Sequence, residues 1–413
     1  MRQPISKFRT LLKFDKLHGA QNYSPLPVMI NKGKGAFLYD VNDNKYYDFL
    51  SSYSSVNQGH CHPRLVNVMK KQCETLTLCS RAFHSEQLSL FYNFMNKTFN
   101  YDKCLPMNTG VEACETAIKL ARLWGYKTKM IPYNKAEHVF PINNFWGRSI
   151  AACSSSTDES CYNNFGPFLP GIHFVEYNNI QHLERVFKDN PNICSYMMEP
   201  IQGEAGIIIP DDTYISNVRR LCTKYNVLFI CDEVQTGLGR TGSLLCCEPN
   251  SIRRSTILPD ILVLGKALTG GMIPMSCVLA NNNIMDNIEP GTHGSTYGGN
   301  PLSSAVAIEA VNIVNNNTLN NNVLNRGSLF RDTIHDNFVG KGIVKDVRGR
   351  GFLNAVELDT PEIAKDVVTQ LMKNGILTKI TREKVIRLCP PLTLTSYQYD
   401  ESLDIIINTL RGI

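Results

Sequence analysis

Val227-Leu228-Phe229-Ile230-Cys231 breaks into Asp232-Glu233-Val234-Gln235-Thr236-Gly237 and Gly239-Arg240-Thr241-Gly242, and a second apolar run, Ile261-Leu262-Val263-Leu264, ends in Gly265-Lys266. An apolar run without alternation that stops at glycines and charges reads as a parallel strand buried on both faces, and ligands collect at the carboxyl ends of such strands. Two strand ends therefore present one carboxylate and one amine to the same edge. The pair fits pyridoxal phosphate chemistry, in which a lysine holds the aldehyde as a Schiff base and an aspartate keeps the pyridine nitrogen protonated. The stretch predicts an α/β fold whose site lies at the carboxyl edge of a mainly parallel sheet.

The rest of the chain bounds this reading. At 413 residues it exceeds what one hydrophobic core usually supports, so two or three lobes are expected. Hydrophobic residues at 43% and charged residues at 19% are an ordinary globular balance. A net charge of +5 is too small over this length to argue for nucleic acid or membrane, which leaves small molecules and copies of itself as partners. No run approaches the roughly 18 apolar residues of a membrane span, and no apolar stretch follows the start methionine, so a soluble chain that is not secreted is expected. The 14 cysteines are scattered singly through apolar segments, apart from Cys246-Cys247, which is the usage of small core fillers. No CxxC or zinc spacing is present. Cys153 and Cys161 bracket a Ser/Thr/Asp-rich turn as either two unrelated thiols or a redox pair.

Upstream of the central stretch, residues 6–17 carry apolar positions among Lys7, Arg9 and Lys13, and read either as an organelle presequence or as a short docking helix. Residues 35–50 read as a hairpin with its turn at Val41-Asn42-Asp43-Asn44. Gly59-His60-Cys61-His62-Pro63 is a weak metal pattern and a better entrance loop. Asn108-Thr109-Gly110-Val111-Glu112-Ala113 leads into helical apolar spacing; its turn is an N-cap and, in the right company, a phosphate cradle. Asn143-Asn144-Phe145-Trp146-Gly147-Arg148 sets aromatic rings near an arginine, a layout able to stack on a ring and clamp a carboxylate. Ser195-Tyr196-Met197-Met198-Glu199-Pro200 reads as another strand, after which Glu204 sits between glycines, as an active-edge acid or a solvated loop acid.

Downstream, Gly291-Thr292-His293-Gly294-Ser295-Thr296-Tyr297-Gly298-Gly299-Asn300-Pro301 is a glycine-rich loop able to approach a ligand closely, and it lacks the Walker A ending. From about Thr318 the pattern changes to an Asn-rich bend, a helix, a strand region over 342–358 and a closing helix after Tyr399. The expected division is an N-terminal segment of helix and β-ribbon (1–53), a large cofactor-binding domain (54–319) and a C-terminal small domain (320–413).

These blocks, together with Gly-Ala-Gln-Asn-Tyr at 19–23, Ser-Ser-Tyr-Ser-Ser-Val-Asn-Gln-Gly-His-Cys-His-Pro at 51–63 and Ile-Arg-Leu-Cys-Pro-Pro-Leu at 386–392, carry a resemblance along nearly the whole length. The chain resembles the class III, fold-type I pyridoxal phosphate aminotransferases, and within them the enzymes that use ornithine. The resemblance implies a large domain with a mainly parallel sheet and a smaller α+β domain built from the C-terminal part and the N-terminal segment. It implies pyridoxal 5′-phosphate as cofactor, with Lys266 as its Schiff-base lysine and proton shuttle, Asp232 on the pyridine nitrogen and Gln235 on the ring hydroxyl. Phe145 and Val234 would sandwich the ring. Gly110 and Val111 would hold the phosphate by backbone amides, joined by Ser295 and Thr296 from a neighbouring subunit of a homodimer.

Substrate choice follows from the same resemblance. L-ornithine would give up its terminal amine while Arg148, helped by Tyr23, clamps its α-carboxylate and Tyr53 meets its α-amine. Arg387 would be masked by Glu204 in this half and released to bind 2-oxoglutarate in the other. N-acetylornithine, 4-aminobutyrate or lysine is the alternative donor. Cys114 stands where many relatives carry glycine and Gln21 where histidine is common; neither is expected to touch a catalytic atom. The short N-terminus suggests cytoplasm, with the mitochondrial matrix as the alternative.

Overall fold

The computed structural model describes residues 7–248 and 258–413. Seven strands form its central sheet: β1 Lys103–Met107, β2 Glu137–Pro141, β3 Ile172–Val175, β4 Ile193–Met198, β5 Leu228–Asp232, β6 Ile261–Leu264 and β7 Ser276–Ala280. Their spatial order is β1-β7-β6-β5-β4-β2-β3. Strands β2 to β6 run parallel, and only β7 is reversed, pairing antiparallel with both β1 and β6. Every residue of β4, β5, β6 and β7 is buried, which is the physical reason their sequence shows no alternation. The central apolar run is displaced by one residue from its expected strand, so that Asp232 is the last residue of β5 rather than the first after it.

Helices cover both faces of this sheet. Helix Gly110–Lys127 buries Ala113, Cys114, Ala117, Leu120, Ala121 and Trp124 against Leu228, Ile230 and Val263. On the other face, Val306, Ala307, Ala310 and Val311 of helix Pro301–Val314 pack into the larger core with Phe229, Leu262 and Leu264.

Two further sheets build the smaller part. The predicted hairpin is present as Phe37–Asp40 and Lys45–Asp48, preceded by Ile30–Lys34. Ile376–Leu377 adds to it in parallel, so the N-terminal ribbon and the C-terminal region share a sheet. The other sheet runs Val344–Arg350, Leu353–Leu358, Val385–Leu388, Lys379–Thr381, all antiparallel. The expected N-terminal helix spans Lys7–His18 and buries no side chain; residue 6 lies outside the described residues.

Two expectations need correcting. The Asn-rich stretch is not a bend: helix Asn317–Phe338 begins inside it, because Asn316 caps Leu319 N–H through its side chain and Asn320 is buried. The closing helix starts at Ser396, ahead of Tyr399, where Thr395 and Gln398 form a capping box. No helix among the described residues is long and apolar enough to cross a membrane.

A buried arginine joins these parts. Arg240 is 0% exposed, donating from Nε and Nη2 to Asn57 Oδ1 at 3.2 and 2.5 Å and from Nη1 to the carbonyls of Phe352 at 3.0 Å and Pro390 at 2.6 Å. Arg240→Met keeps the bulk and leaves buried acceptors unpaired, so it should lower stability by about 3 kcal/mol or more. Arg240→Lys should rescue little, lacking the planar fork. Urea unfolding midpoints check this, and midpoints that match wild type would show that the joint lies elsewhere.

Candidate active site

The carboxyl ends of the parallel strands meet at one edge. β1 leads through Asn108 and Thr109 into helix Gly110–Lys127, whose start is a complete capping box. The Glu112 carboxylate accepts the N–H groups of Asn108 at 2.9 Å and Thr109 at 2.7 Å, and Thr109 Oγ1 accepts Glu112 N–H at 3.3 Å. The cap reading is correct, and among the described residues it leaves the Gly110 and Val111 N–H groups as open donors at the positive end of the helix. A Cβ on Gly110 would lie 3.1 Å from Val234 Cγ1, so helix start and β5 turn are in contact. Gly147, at φ +149°, lets the loop after β2 close on the same helix: a Cβ there would meet Val111 Cγ2 at 2.5 Å.

Asp232 ends β5 with Oδ1 accepting Val234 N–H at 2.9 Å. Lys266 opens a short 3-10 turn after β6 at φ +46°, a backbone region that a lysine seldom occupies. Phe145 N–H donates to Glu199 Oε1 at 3.0 Å, and the Arg148 guanidinium lies 5.7 Å from the Phe145 ring centre. Trp146, by contrast, is buried, stacking on Phe140 and bonding Ser155.

Arg387 enters from strand Val385–Leu388 and is 1% exposed. Its Nη1 bonds and ion-pairs with Glu204 Oε1, its Nη2 donates to Gln235 Oε1 at 2.7 Å, and its plane lies 5.2 Å over the Tyr53 ring. Tyr53 sits in a left-handed turn, Ser51 to Ser54, with φ of 49°, 47°, 58° and 70°. Asp48 holds that turn by accepting the Leu50 and Ser51 N–H groups at 2.9 and 2.8 Å, while His60 Nε2 bonds its other oxygen at 2.7 Å. The Glu204 loop is tied to the C-terminal sheet, with Thr381 Oγ1 donating to Glu204 O at 3.0 Å and Arg348 Nη2 to Gly206 O at 2.8 Å.

Burial sets the electrostatics. It pulls the Lys266 amine below the ordinary lysine value, with Arg387 acting the same way against the opposing pull of Glu204. A lysine so placed is closer to the neutral, nucleophilic form. Burial pushes the Asp232 carboxyl up. For Glu204 burial acts upward as the largest single influence, but Arg387, Lys266 and Gln235 together outweigh it and the carboxyl lies low; for Arg387 burial acts downward, and Glu204 with Cys389 and Tyr53 reverses it. The pair is therefore ionised across the neutral range.

Tyr23, Tyr53, Phe145, Arg148, Glu204, Lys266 and Arg387 line one cleft of about 950 Å³, with Cys153 and Cys161 also on its wall as buried, free thiols. Tyr23 is 68% exposed at its rim. Gly110, Val111, Asp232, Val234 and Gln235 adjoin it through the contacts above. Ser295 and Thr296 are not brought into it: Ser295 Oγ accepts from Asn108 Nδ2 at 2.9 Å and Gly298 N–H at 3.0 Å, on a loop whose Tyr297 is 59% exposed.

The Gly59–Pro63 segment does not line the entrance. His60 exchanges backbone bonds of 2.8 Å with Gly35, which ties it to the N-terminal ribbon. The expectation that Cys114 touches no catalytic atom is also wrong: its thiol lies 3.5 Å from Asp232 Oδ2, because helical spacing points it at the end of β5. Two residues escaped sequence reasoning. Asp48 reads as an ordinary strand end, and Glu199 as the last residue of a strand, although a charge closing an apolar run was the signal that singled out Asp232. Cys231, Glu233 and Cys247 bring ligand-type atoms within 4.8 Å of one another from distant positions, but Glu233 is already bonded by Thr236 and by Cys247 N–H.

The aminotransferase class-III family model matches residues 18–410. A Drosophila melanogaster protein described as a mitochondrial ornithine aminotransferase is 50% identical over 396 residues, 96% of this chain and 90% of its own. The ornithine aminotransferase structure from Toxoplasma gondii, in which partial occupancy of PLP at the active site is described, superposes with a TM-score of 0.95 at 45% identity, covering 99% of this chain and 95% of that one. An acetylornithine aminotransferase structure from Elizabethkingia anophelis gives 0.89 at 42% identity, covering 99% and 100%.

Glu199 supplies a pH test. Burial, and then the charge of Asp232, push its carboxyl up to about 8 from the usual 4.5. A folded-state value above the unfolded one means that its contribution is complete below about pH 4.5 and is lost as pH rises through about 8. Cofactor-free protein should therefore lose stability over that window with a component of up to about 1.4 kcal/mol per pH unit. Glu199→Gln, which cannot ionise, should remove that component; urea unfolding at several pH values giving equal slopes for both proteins would refute the assignment.

Proposed function

The chain belongs to the class III aminotransferase family, and we propose that it moves the terminal amine of L-ornithine to 2-oxoglutarate, giving glutamate 5-semialdehyde and glutamate. The observation that carries this reading is the Arg387–Glu204 ion pair facing Arg148 in one cleft. One guanidinium is open to a substrate carboxylate while the other is masked, which suits a site that must take a basic amino acid and a dicarboxylic oxo acid in turn.

The residues fit pyridoxal phosphate on structural grounds: a buried carboxylate, a lysine at a strained strand end, open helix-start donors and a glycine whose Cβ would press on Val234. When bound, the cofactor supplies an aldehyde and a ring able to take up an electron pair. Asp232 would hold the proton at the ring nitrogen. Phe145 and Val234 would confine the ring, Gln235 would bond its hydroxyl, and Gly110 and Val111 N–H groups would take the phosphate. Lys266 Nζ, once freed, would carry the proton between substrate carbon and cofactor C4′.

Arg148 and Tyr23 would fix the ornithine α-carboxylate and Tyr53 its α-amine, so only the far amine reaches Lys266. In the second half the α-carboxylate of 2-oxoglutarate replaces Glu204 on Arg387. Exchanging one carboxylate for another never leaves the buried guanidinium unpaired, so the switch costs only the difference between two partners. The exposed loop at Tyr297 supports a homodimer in which Ser295 and Thr296 of the partner subunit complete the phosphate cradle.

The second reading is another class III donor, N-acetylornithine, 4-aminobutyrate or lysine, favoured by the likeness to an acetylornithine enzyme. Turnover of the four amines with 2-oxoglutarate decides, and a preference for any but ornithine sinks the proposal. The product is best trapped as the cyclised pyrroline form of glutamate semialdehyde in a single turnover. Lys266→Ala should keep the fold, lose the cofactor's bound absorbance and lose turnover by about 10²–10⁴-fold or more; unchanged turnover would remove Lys266 from the reaction, and no turnover in wild type either would leave only a binding protein. Glu204→Ala should lower kcat/KM for ornithine by about tenfold or more, equivalent to ~1.4 kcal/mol, while the glutamate half-reaction holds. Stopped-flow measurement of each half separately checks the asymmetry.

A further inference from the structure

Gln235 occupies a position that cofactor binding alone does not explain. Its amide is buried, with Oε1 accepting from Arg387 Nη2 at 2.7 Å and Nε2 donating to Glu204 Oε1 at 3.3 Å. With the Arg387–Glu204 ion pair these bonds close a ring of three side chains. The amide's orientation in that ring is dictated by charge, since turning it over would set its NH2 against the guanidinium and its carbonyl against the carboxylate. The neutral amide is thus polarised by both members of the ion pair.

A second contact is steric. Gly203 directly precedes Glu204, and a Cβ on it would fall 2.0 Å from Gln235 Oε1 and 2.6 Å from Cδ. The backbone that carries Glu204 is therefore seated on the amide, and Gly203 N–H is fixed to Glu199 Oε2 at 3.1 Å. Any displacement of Glu204 reaches Gln235 through a bond and through this packing. On its other side Gln235 belongs to the turn whose Val234 N–H holds Asp232.

We propose that Gln235 is a positioning residue that couples the Arg387–Glu204 switch to the cofactor ring, so that the hydrogen bond to the ring oxygen differs between the two half-reactions. This inference rests on the function proposed above. With the switch closed, one Nε2 hydrogen is committed to a charged acceptor. When a substrate carboxylate takes Arg387 and Glu204 withdraws, that acceptor is lost and Nε2 donates more strongly to the ring oxygen. The enzyme then presents its ring in one electronic state to ornithine and in another to the oxo acid.

Glutarate tests this, because it has two carboxylates but neither amine nor ketone and cannot react. Its binding to holoenzyme is measured by calorimetry, and the cofactor difference spectrum is recorded at saturation. Wild type should bind glutarate with a clear difference spectrum. Gln235→Asn, too short to span Arg387 and Glu204, and Gly203→Ala, which displaces the amide while keeping it, should bind glutarate and lose most of that spectrum. The coupling is overturned by binding to wild type without a spectral change, by variants that keep the full change, or by variants that no longer bind glutarate, which would tie Gln235 to the switch alone. Failure of wild type to bind, or binding that is unchanged in Arg387→Ala, counts against the site reading itself.

Discussion

The buried guanidinium of Arg240 is the constraint on which the relative placement of site residues depends. It carries a charge with no carboxylate on it among the described residues; Asn57 Oδ1 and the carbonyls of Phe352 and Pro390 substitute for water. Desolvating an ion costs several kcal/mol, so the arrangement persists only while all three chain segments hold their oxygens in place. Burial still shows through, holding the guanidinium down to about 10. The chain closes round it tightly: a Cβ on Gly351 would meet Thr241 C at 2.6 Å, and Phe352 N–H returns a bond to Arg240 O at 3.0 Å. Pro390 lies three residues beyond Arg387. Arg240, which does not line the cleft, therefore sets where the Arg387 guanidinium stands relative to the strand ends.

Part of the backbone strain lies at the cleft. Lys266 and the turn at Ser51 to Ser54 occupy the left-handed region, where each non-glycine residue costs on the order of 1–3 kcal/mol unless its surroundings over-determine it. They do here. Lys266 follows a fully buried strand, and the Tyr53 turn is pinned by Asp48, whose oxygens are occupied by two backbone N–H groups and His60. The geometry serves access: Lys266 and Tyr53 both reach the cleft from positions at which a regular strand or helix would have buried them.

What could be read from sequence follows from how local each signal is. β5 and β6 were legible because burial on both faces leaves an unbroken apolar run, and the charges closing those runs, Asp232 and Lys266, fall at the predicted edge. The Asn-rich stretch misled because asparagine favours turns on average, whereas Asn316 spends its side chain on capping and Asn320 is packed inside. Cys114 misled in the other direction: helical spacing marked it as packing, and only the crossing of that helix over the sheet brings its thiol to Asp232. Glu204 and Arg387 are separated by 183 positions, and no periodicity connects a loop acid to a distant strand. That pairing came from family resemblance, and the third member, Gln235, was visible only once the side chains were placed.

The asymmetry within the ion pair decides which partner moves. Arg387 is 1% exposed and lies mid-sheet, its strand paired on both sides by Leu353–Leu358 and Lys379–Thr381, so it can neither leave nor be hydrated in place. Its Nε has no partner among the described residues, and losing a charged one as well would strand the guanidinium. Glu204 retains 27% exposure on a loop and faces the cleft, where water can take over its carboxylate at modest cost. In the proposed switch an incoming carboxylate would therefore displace the acid and leave the base fixed. A switch of this kind requires one side chain anchored by a sheet and another that can swing from a fixed loop into the cleft, joined by a neutral residue that can follow either state without a charge of its own.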